Sequence, residues 1–104
     1  MTLPQACVLH ISFKSELYDA MTDALLSFPH RPLSFWGTGI QMHHRELEAI
    51  TERVSGYQKQ SMIEVKTDLQ EAELLYRHLK ESISGFDCWL LPMLQPDWLT
   101  PTGL

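Results

Sequence analysis

Two adjacent histidines are the clearest candidates for metal ligands. His43 and His44 follow Met42 in a polar stretch of the sequence. Imidazole and thioether groups suit borderline and soft ions, so this group points to zinc or copper. A third ligand would have to come from Glu46, from Glu48 or from another copy of the chain, since the spacing matches no standard zinc signature. The alternative interpretation is a solvated loop that carries these side chains without a metal.

A second set of residues has the chemistry of an anion site. From residue 31 to residue 66 the chain has five basic and four acidic residues, a balance of +1, whereas the rest has three basic and nine acidic, a balance of −6. Glycine lets an anion approach backbone amides closely, and arginine and lysine supply compensating charge. The candidates for binding a small anion or a nucleotide are Gly37, Gly39, Arg45, Arg53, Gly56 and Lys59. The charged members would equally line a solvated helix face through i,i+4 pairs.

Catalysis and nucleic-acid binding have little support. The sequence has neither a Gly-x-Ser-x-Gly elbow nor a His-Glu-x-x-His motif. Cys7 and Cys88 stand in apolar runs and are predicted to be reduced core residues rather than nucleophiles. A small enzyme that uses His10 or a tryptophan in a pocket between sheet and helices is an alternative. RNA binding is disfavoured because the chain is acidic and its strand aromatics lack a basic context.

The composition predicts that one folded domain, residues 1–104, carries these residues. Hydrophobic residues make up 44% of the 104 positions, charged residues 20%, and the net charge is −5. These values support a core and argue against a protein that mainly binds nucleic-acid phosphates or anionic lipid. No apolar run is long enough to cross a bilayer, and no basic stretch precedes the first apolar one. We therefore predict a cytoplasmic protein without direct membrane insertion.

Apolar periodicity predicts four strands and two helices. The strands are expected at residues 6–13, 33–36, 61–67 and 86–94. The first helix is expected from an N-cap at Ser15 to Phe28, and the second from a capping box at Thr67 or Asp68 to Ile83. The segment 37–58 is expected to be a long loop containing a short helical piece around residues 47–54. Residues 95–104 are expected to form an extended tail.

This order of elements predicts an α+β, ferredoxin-like βαββαβ fold. The sheet would have four antiparallel strands in the order 4-1-3-2, with both helices on one face. Pro32 and Pro92 support the order because they lie in or beside the two predicted edge strands, where proline removes no ladder hydrogen bond.

The uncovered face of this sheet is expected to be apolar. It would display Val8, Met62 and one aromatic set from the edge strands, such as Trp36 or Trp89 with Leu91. Monomers seldom leave such a patch in water, so we predict that sheet faces meet in a homo-oligomer. The alternative is that residues 95–104, with Trp98 and Leu99, fold over this face within one chain.

Several features together resemble the PII-like proteins. They are the order of elements, the long excursion between the second and third strands, and the sequences Gly37-Thr38-Gly39, Glu52-Arg53-Val54-Ser55-Gly56 and Trp89-Leu90-Leu91-Pro92-Met93. More narrowly, the chain is similar from about residue 6 to residue 94 to an uncharacterised bacterial group of that superfamily, the domain-of-unknown-function 3240 family.

The resemblance implies a trimer whose sheets face inward. The segment 37–58 would then match the T-loop with which PII proteins bind ligands and touch partner proteins, which implies a binding or regulatory protein rather than an enzyme. The resemblance also implies a relation to the trimeric CutA-type proteins, which are linked to divalent-cation tolerance, and to proteins encoded beside heavy-metal efflux pumps. A metal-tolerance accessory role is therefore the alternative. The uridylylation tyrosine and ATP-binding basic cluster of PII signalling proteins have no match here.

Overall fold

The computed structural model describes residues 6–43 and 58–94 of the chain. The elements are β1 (Ala6–Lys14), a 3₁₀ turn (Ser15–Leu17), α1 (Tyr18–Leu26), β2 (Phe35–Met42), β3 (Gln58–Asp68), α2 (Leu69–Ser82) and β4 (Phe86–Pro92). The predicted βαββαβ order is confirmed. No helix within the described ranges is long and apolar enough to cross a membrane.

The four strands form one antiparallel sheet in the order β2-β3-β1-β4. This is the predicted order read from the opposite edge, so the α+β, ferredoxin-like fold is confirmed. The edge positions of β2 and β4 also agree with the prolines, since Pro92 is the last residue of β4 and Pro32 precedes β2. Neither proline interrupts a central strand.

The core lies between the two helices and one face of the sheet. Alternate residues of the central strands supply the sheet side, and apolar stripes at helical spacing supply the helix side. Its members are Leu9, Ile11, Phe13, Met21, Ala24, Leu25, Phe28, Ile63, Val65, Leu75, Leu79, Ile83 and Phe86. Alternation in β1 and helical spacing in α1 and α2 predict these buried positions, but Leu69, which belongs to the predicted stripe of α2, is 62% exposed at the start of the helix.

The limits of two strands differ from the prediction. β2 begins at Phe35 and continues through both glycines to Met42, instead of ending before Gly37. β3 begins at Gln58 rather than at residue 61. Glycine does not end β2 because pairing with β3 supplies the backbone partners at these positions. The expected loop 37–58 is thus strand at its first residues and at its last one, and the helical piece expected at 47–54 lies outside the described residues.

The beginning of the first helix also differs from the prediction. Ser15 is not a helix N-cap, because it opens the 3₁₀ turn, and α1 begins at Tyr18 without a side-chain cap. The Ser15 hydroxyl instead lies 3.0 Å from that of Ser61 in β3. The predicted cap of α2 is confirmed, since an Asp68 side-chain oxygen accepts a hydrogen bond of 2.8 Å from the backbone N–H of Glu71.

Candidate functional site

The sheet face opposite the helices carries a row of four large side chains. The strand register pairs Trp89 with His10, His10 with Glu64, and Glu64 with Trp36. The row therefore crosses all four strands from one edge of the sheet to the other. The His10 imidazole stacks on the Trp89 indole, with ring centroids 5.5 Å apart and planes 11° from parallel.

This row belongs to a larger surface, which we call the open face. By strand alternation its members are Val8, His10, Ser12, Trp36, Thr38, Met62, Glu64, Trp89 and Leu91. In one copy of the chain Trp36 is 45% exposed, Trp89 41% and Leu91 47%. The predicted apolar face is thus present, and it carries both tryptophans rather than one of them. Exposed aromatic patches of this kind mark surfaces that bind another molecule.

Charged residues of both signs accompany the apolar part of the open face. Glu64 and Lys66 lie on β3, Asp87 on β4 and Lys14 at the end of β1, all on the same side of the sheet by register. Ser12 is buried among these neighbours, and its hydroxyl donates to the Gln60 side-chain oxygen at 2.7 Å. Because these two acidic and two basic side chains have no net charge together, they do not make one copy of this surface repel another.

The predicted anion-binding residues divide between strands and residues outside the described ranges. Gly37 and Gly39 lie in β2, and Lys59 lies in β3 opposite Gln41. Arg45, Arg53 and Gly56 lie outside the described residues, so the assembly of the six into one site stays a prediction.

The two strand glycines differ in what surrounds them. A Cβ atom at Gly37 would stand 2.7 Å from the Tyr18 hydroxyl oxygen and 3.3 Å from Cγ1 of Ile63, so α1 covers this position. A Cβ atom at Gly39 would meet nothing within 4 Å. Gly37 therefore has a packing role, whereas the side of Gly39 is open to approach.

One of the two predicted metal ligands, His43, lies at the end of β2. His43 follows the strand directly and is exposed, and His44 lies outside the described residues. Among residues 6–43 and 58–94, no group of three or more His, Cys, Asp or Glu side chains is placed to hold a metal ion. A site that uses His43 and His44 therefore stays a prediction.

Sequence reasoning missed a groove between α2 and β4. Its volume is ≈ 440 Å³, it opens to solvent, and its lining consists of Leu9, Leu69, Ala72, Glu73, Tyr76, Cys88, Trp89 and Leu90. The Glu73 carboxylate already accepts a hydrogen bond of 2.8 Å from Arg77. This mainly apolar lining differs from the convergent polar groups of a catalytic pocket. The signal that could have found the groove is the pair Leu69 and Tyr76, apolar residues seven apart beside the buried stripe of α2.

The two cysteines are free thiols with little nucleophilic character. Cys7 is buried in the sheet, as predicted, whereas Cys88 is only half-buried because it lines the groove. Burial raises the pKa of both thiols, and the negative charges of Asp68 and Glu71 near Cys7, and of Asp87 near Cys88, raise these pKa values further. A thiol that stays protonated at neutral pH reacts slowly.

An ion pair links the connection between α1 and β2 to the start of α2. Arg31 donates from Nε to Oε2 of Glu71 at 2.5 Å and from Nη2 to Oε1 at 2.6 Å. Thr67 donates its hydroxyl to the same carboxylate at 2.6 Å. The Arg31 guanidinium, with help from the Thr67 hydroxyl, holds the pKa of Glu71 below its ordinary value, although partial burial acts in the opposite direction. This pair therefore fixes the approach of the chain to β2.

The architecture places the protein in a structural class. The protein has a four-stranded sheet with two helices on one side and an apolar open face on the other, and its strands β2 and β3 pair on either side of residues 43–57. This arrangement is the PII-like form of the ferredoxin-like fold. A family model described as "Protein of unknown function (DUF3240)" matches residues 3–95. The chain belongs to this family, as its sequence features indicated.

Solved structures show the same fold. A DUF3240 family protein from Shewanella baltica superposes with a TM-score of 0.66 at 18% identity, over 89% of this chain and 94% of that chain. CutA from Synechococcus elongatus gives a TM-score of 0.59 at 16% identity, over 90% and 81%. The GlnK–ATP complex from B. subtilis gives 0.57 at 9% identity, over 89% and 85%. A search of curated protein sequences finds no significant match. At these identities the similarity to the solved structures is one of fold.

Proposed function

We propose that this protein is a cytoplasmic, homotrimeric binding and regulatory protein of the PII-like class. In this proposal three copies bury their open faces against one another, and a small anionic ligand binds in the clefts between copies. The segment between β2 and β3 then contacts a partner protein. The single observation that carries the proposal is the open face, with Trp36 and Trp89 at its two ends.

Burial of the open face supplies the free energy for assembly. Removing apolar surface from water contributes about 25 cal/mol for each Å². The three side chains that would gain most are Trp36, Trp89 and Leu91, each close to half exposed in one copy. The charged residues of the open face are of both signs, so opposite charges can pair between copies. A single copy would instead leave this surface in water.

The same sheet gives the regulatory part of the proposal its physical basis. Met42 and Gln58 are cross-strand partners at the end of the β2-β3 ladder, so both ends of residues 43–57 begin on the sheet that carries the open face. A ligand bound between copies can therefore favour one arrangement of this segment over another, and a partner protein can distinguish the arrangements. The ATP held by the structurally similar GlnK supports a nucleotide or another small anion as the first ligand to test.

Native mass spectrometry of the protein as purified tests the assembly and the ligand together. The expected result is a mass of three chains, with or without a retained small molecule, at micromolar concentration. A stable single chain under these conditions would overturn the proposal, because the clefts between copies would not exist. Adding ATP, ADP and inorganic phosphate separately to the assembly then tests the anion, and a mass increase for none of them rejects that ligand class.

A loop replacement tests the regulatory element. A variant in which a short Gly-Ser linker replaces residues 43–57 should keep the number of subunits in the assembly, since β2 and β3 remain paired. It should lose a partner that chemical cross-linking attaches to the intact protein. The matched control replaces residues 95–104 with a linker of the same composition and should retain that partner. Retention of the partner by the first variant would contradict the assigned role of this segment.

A further inference from the structure

His10 and Glu64 lie at the centre of the open face. His10 is the middle residue of β1 (Ala6–Lys14), and it pairs with Glu64 of the adjacent β3. β1 and β3 are the two central strands of the sheet, with β4 outside β1 and β2 outside β3. The pair therefore lies at the midline of the sheet and halfway along it, whereas Trp36 and Trp89 lie on the edge strands.

Three copies of this pair come together in the proposed trimer, on which the inference rests. When three faces pack against one another around a threefold axis, the centre of each face lies closest to the axis. Neighbouring strands are about 4.8 Å apart, so a four-stranded sheet is roughly 19 Å wide, and three sheets that meet at their edges leave each midline about 5.5 Å from the axis. An extended histidine side chain and a zinc–nitrogen bond of about 2.0–2.1 Å together span roughly 6 Å from Cα to metal. Three His10 side chains can therefore reach one ion on the axis.

The stacking of His10 on Trp89 leaves the imidazole nitrogens in position to bind. The ring planes are 11° from parallel and the centroids are 5.5 Å apart, so the indole lies against a face of the imidazole. Both ring nitrogens lie at the edge of the imidazole, and their lone pair or hydrogen points outward in the ring plane. The contact thus restricts rotation of the ring while one nitrogen can bind a metal and the other can donate a hydrogen bond.

Glu64 supplies the carboxylate that such a site needs. It lies directly beside His10 on the neighbouring strand, so threefold symmetry places the two kinds of side chain alternately around the axis. Each carboxylate can accept the remaining imidazole N–H, which is the arrangement that orients histidine ligands in zinc sites. Burial of three carboxylates without a cation would be costly, and a divalent cation on the axis offsets their charge.

We propose that the trimer binds one divalent transition-metal ion on its threefold axis through one His10 nitrogen from each copy. Three imidazoles leave a fourth position for water or another small ligand, as in zinc sites with three histidines. Imidazole suits zinc, copper and nickel better than calcium or magnesium, and zinc is the first ion to test. Within the described ranges of a single copy no three such groups come together, because the axial site is complete only in the assembly.

Native mass spectrometry of the metal-free protein with added zinc chloride counts chains and ions together. The expected result is one zinc for three chains. His10→Gln should keep three chains and weaken zinc binding about tenfold or more, because an amide of similar size replaces the imidazole. The matched control is His30→Gln, since His30 is an exposed histidine outside the open face and its loss should leave zinc binding unchanged.

Further variants separate the axial site from the ligands predicted after β2. His43→Ala combined with His44→Ala should keep one zinc for three chains. Glu64→Gln should weaken zinc binding about 10–100-fold although His10 is intact. Zinc should also raise the thermal unfolding midpoint of the wild-type protein but not that of His10→Gln.

Cobalt(II) tests the site without any substitution, in case His10→Gln does not assemble. Three imidazoles and one water should give the intense visible absorption of a four-coordinate ion, reached at one equivalent for three chains. The weak absorption of a six-coordinate ion would instead reject the axial site.

Three chains that bind no zinc, or that bind it equally well after His10→Gln, would overturn the inference and leave the proposed trimer in place. One zinc for each chain, lost in the variant without His43 and His44, would place the metal after β2 and also overturn it. A stable single chain would overturn the trimer and the axial site together. Because one spectrum gives both counts, these failures are distinguishable.

Discussion

The imidazole of His10 lies nearly parallel to the indole of Trp89, with 5.5 Å between the ring centroids. The contact joins a central strand to an edge strand on the open face. It restricts the rotation of Trp89 before any partner arrives, so less side-chain entropy is lost when this surface is buried. The open face is thus arranged for association already in one copy.

A charge on the open face should separate the copies without unfolding them. Leu91→Glu introduces a carboxylate at a position that is 47% exposed in one copy, so the folded chain tolerates it, but an interface would have to bury it. We expect the subunit count to fall, as measured by native mass spectrometry or sedimentation, with an unchanged circular dichroism spectrum. The matched control is Leu74→Glu, because Leu74 is 44% exposed but lies on α2, away from this face. Equal assembly of both variants would argue against the interface.

Loss of the Arg31–Glu71 ion pair should destabilise the fold. Glu71→Gln removes the charge that Arg31 and Thr67 bind, and we expect the free energy of unfolding at neutral pH to fall by about 1 kcal/mol. Glu73→Gln is the matched control, since the Glu73–Arg77 pair is exposed on the same helix and should contribute about 0.5 kcal/mol or less. Urea unfolding measures both, and equal losses would contradict the importance of the Arg31 pair.

The same carboxylate predicts a dependence of stability on pH. Because folding lowers the pKa of Glu71, its contribution is fully present above the ordinary carboxyl pKa and is lost as the pH falls through the lowered value. The wild-type chain should therefore lose stability in acid more steeply than Glu71→Gln. Urea titrations from neutral to strongly acidic pH would show the two curves converging. Parallel curves would mean that Glu71 has the same pKa in the folded and unfolded chains.

Alanine should be costly at Gly37 and tolerated at Gly39, although both residues lie in β2. A Cβ atom at position 37 would overlap the hydroxyl of the partly exposed Tyr18 and crowd Ile63, so the Tyr18 ring must shift, and we expect a loss of about 1 kcal/mol in the free energy of unfolding. At position 39 the space is open, so we expect a change within about 0.5 kcal/mol. Tyr18→Phe, which removes the overlapping oxygen, should recover part of the first loss. No recovery would point to the backbone rather than to Tyr18.

Gly85 should resist substitution for a different reason. Its φ of 82° lies in the left-handed region, and a Cβ atom there would meet nothing within 4 Å. Gly85→Ala should therefore cost about 1 kcal/mol through backbone strain alone. Gly85→Asn should cost less, because asparagine tolerates this conformation better than alanine. Thermal unfolding of the two variants tests this, and an equal loss in both would reject the explanation.

Hydrophobic periodicity in the sequence was sufficient to predict the buried residues of elements that face the core on one side. The alternation of β1 and the stripe of α2, apart from Leu69 at the start of the helix, identified residues that the structure buries, because burial on one face imposes a regular spacing. The extent of β2 was not predictable in this way. Two glycines read locally as an end to the strand, whereas pairing with β3 and packing of Tyr18 against Gly37 carry the strand onward. Tertiary contacts outweighed local preference there.

The candidate site likewise has some features that the sequence predicts and others that it does not. An apolar open face followed from the order of elements, because two helices cover only one side of the sheet. The contact between His10 and Trp89 depends on strand register, which the spacing of residues along one strand does not contain. The Arg31–Glu71 pair joins residues 40 positions apart, so no local pattern indicates it. The groove was not predictable from the sequence because it depends on how α2 lies relative to β4 in the folded chain.

The pairing of Met42 with Gln58 holds the two ends of residues 43–57 together at the edge of the sheet. When the two ends of a segment are held together, doubling the length of the segment costs only about 0.6 kcal/mol of closure entropy. The closure entropy of this segment therefore changes little when its length changes. Changes of length between Met42 and Gln58 should therefore leave the pairing of β2 with β3 in place.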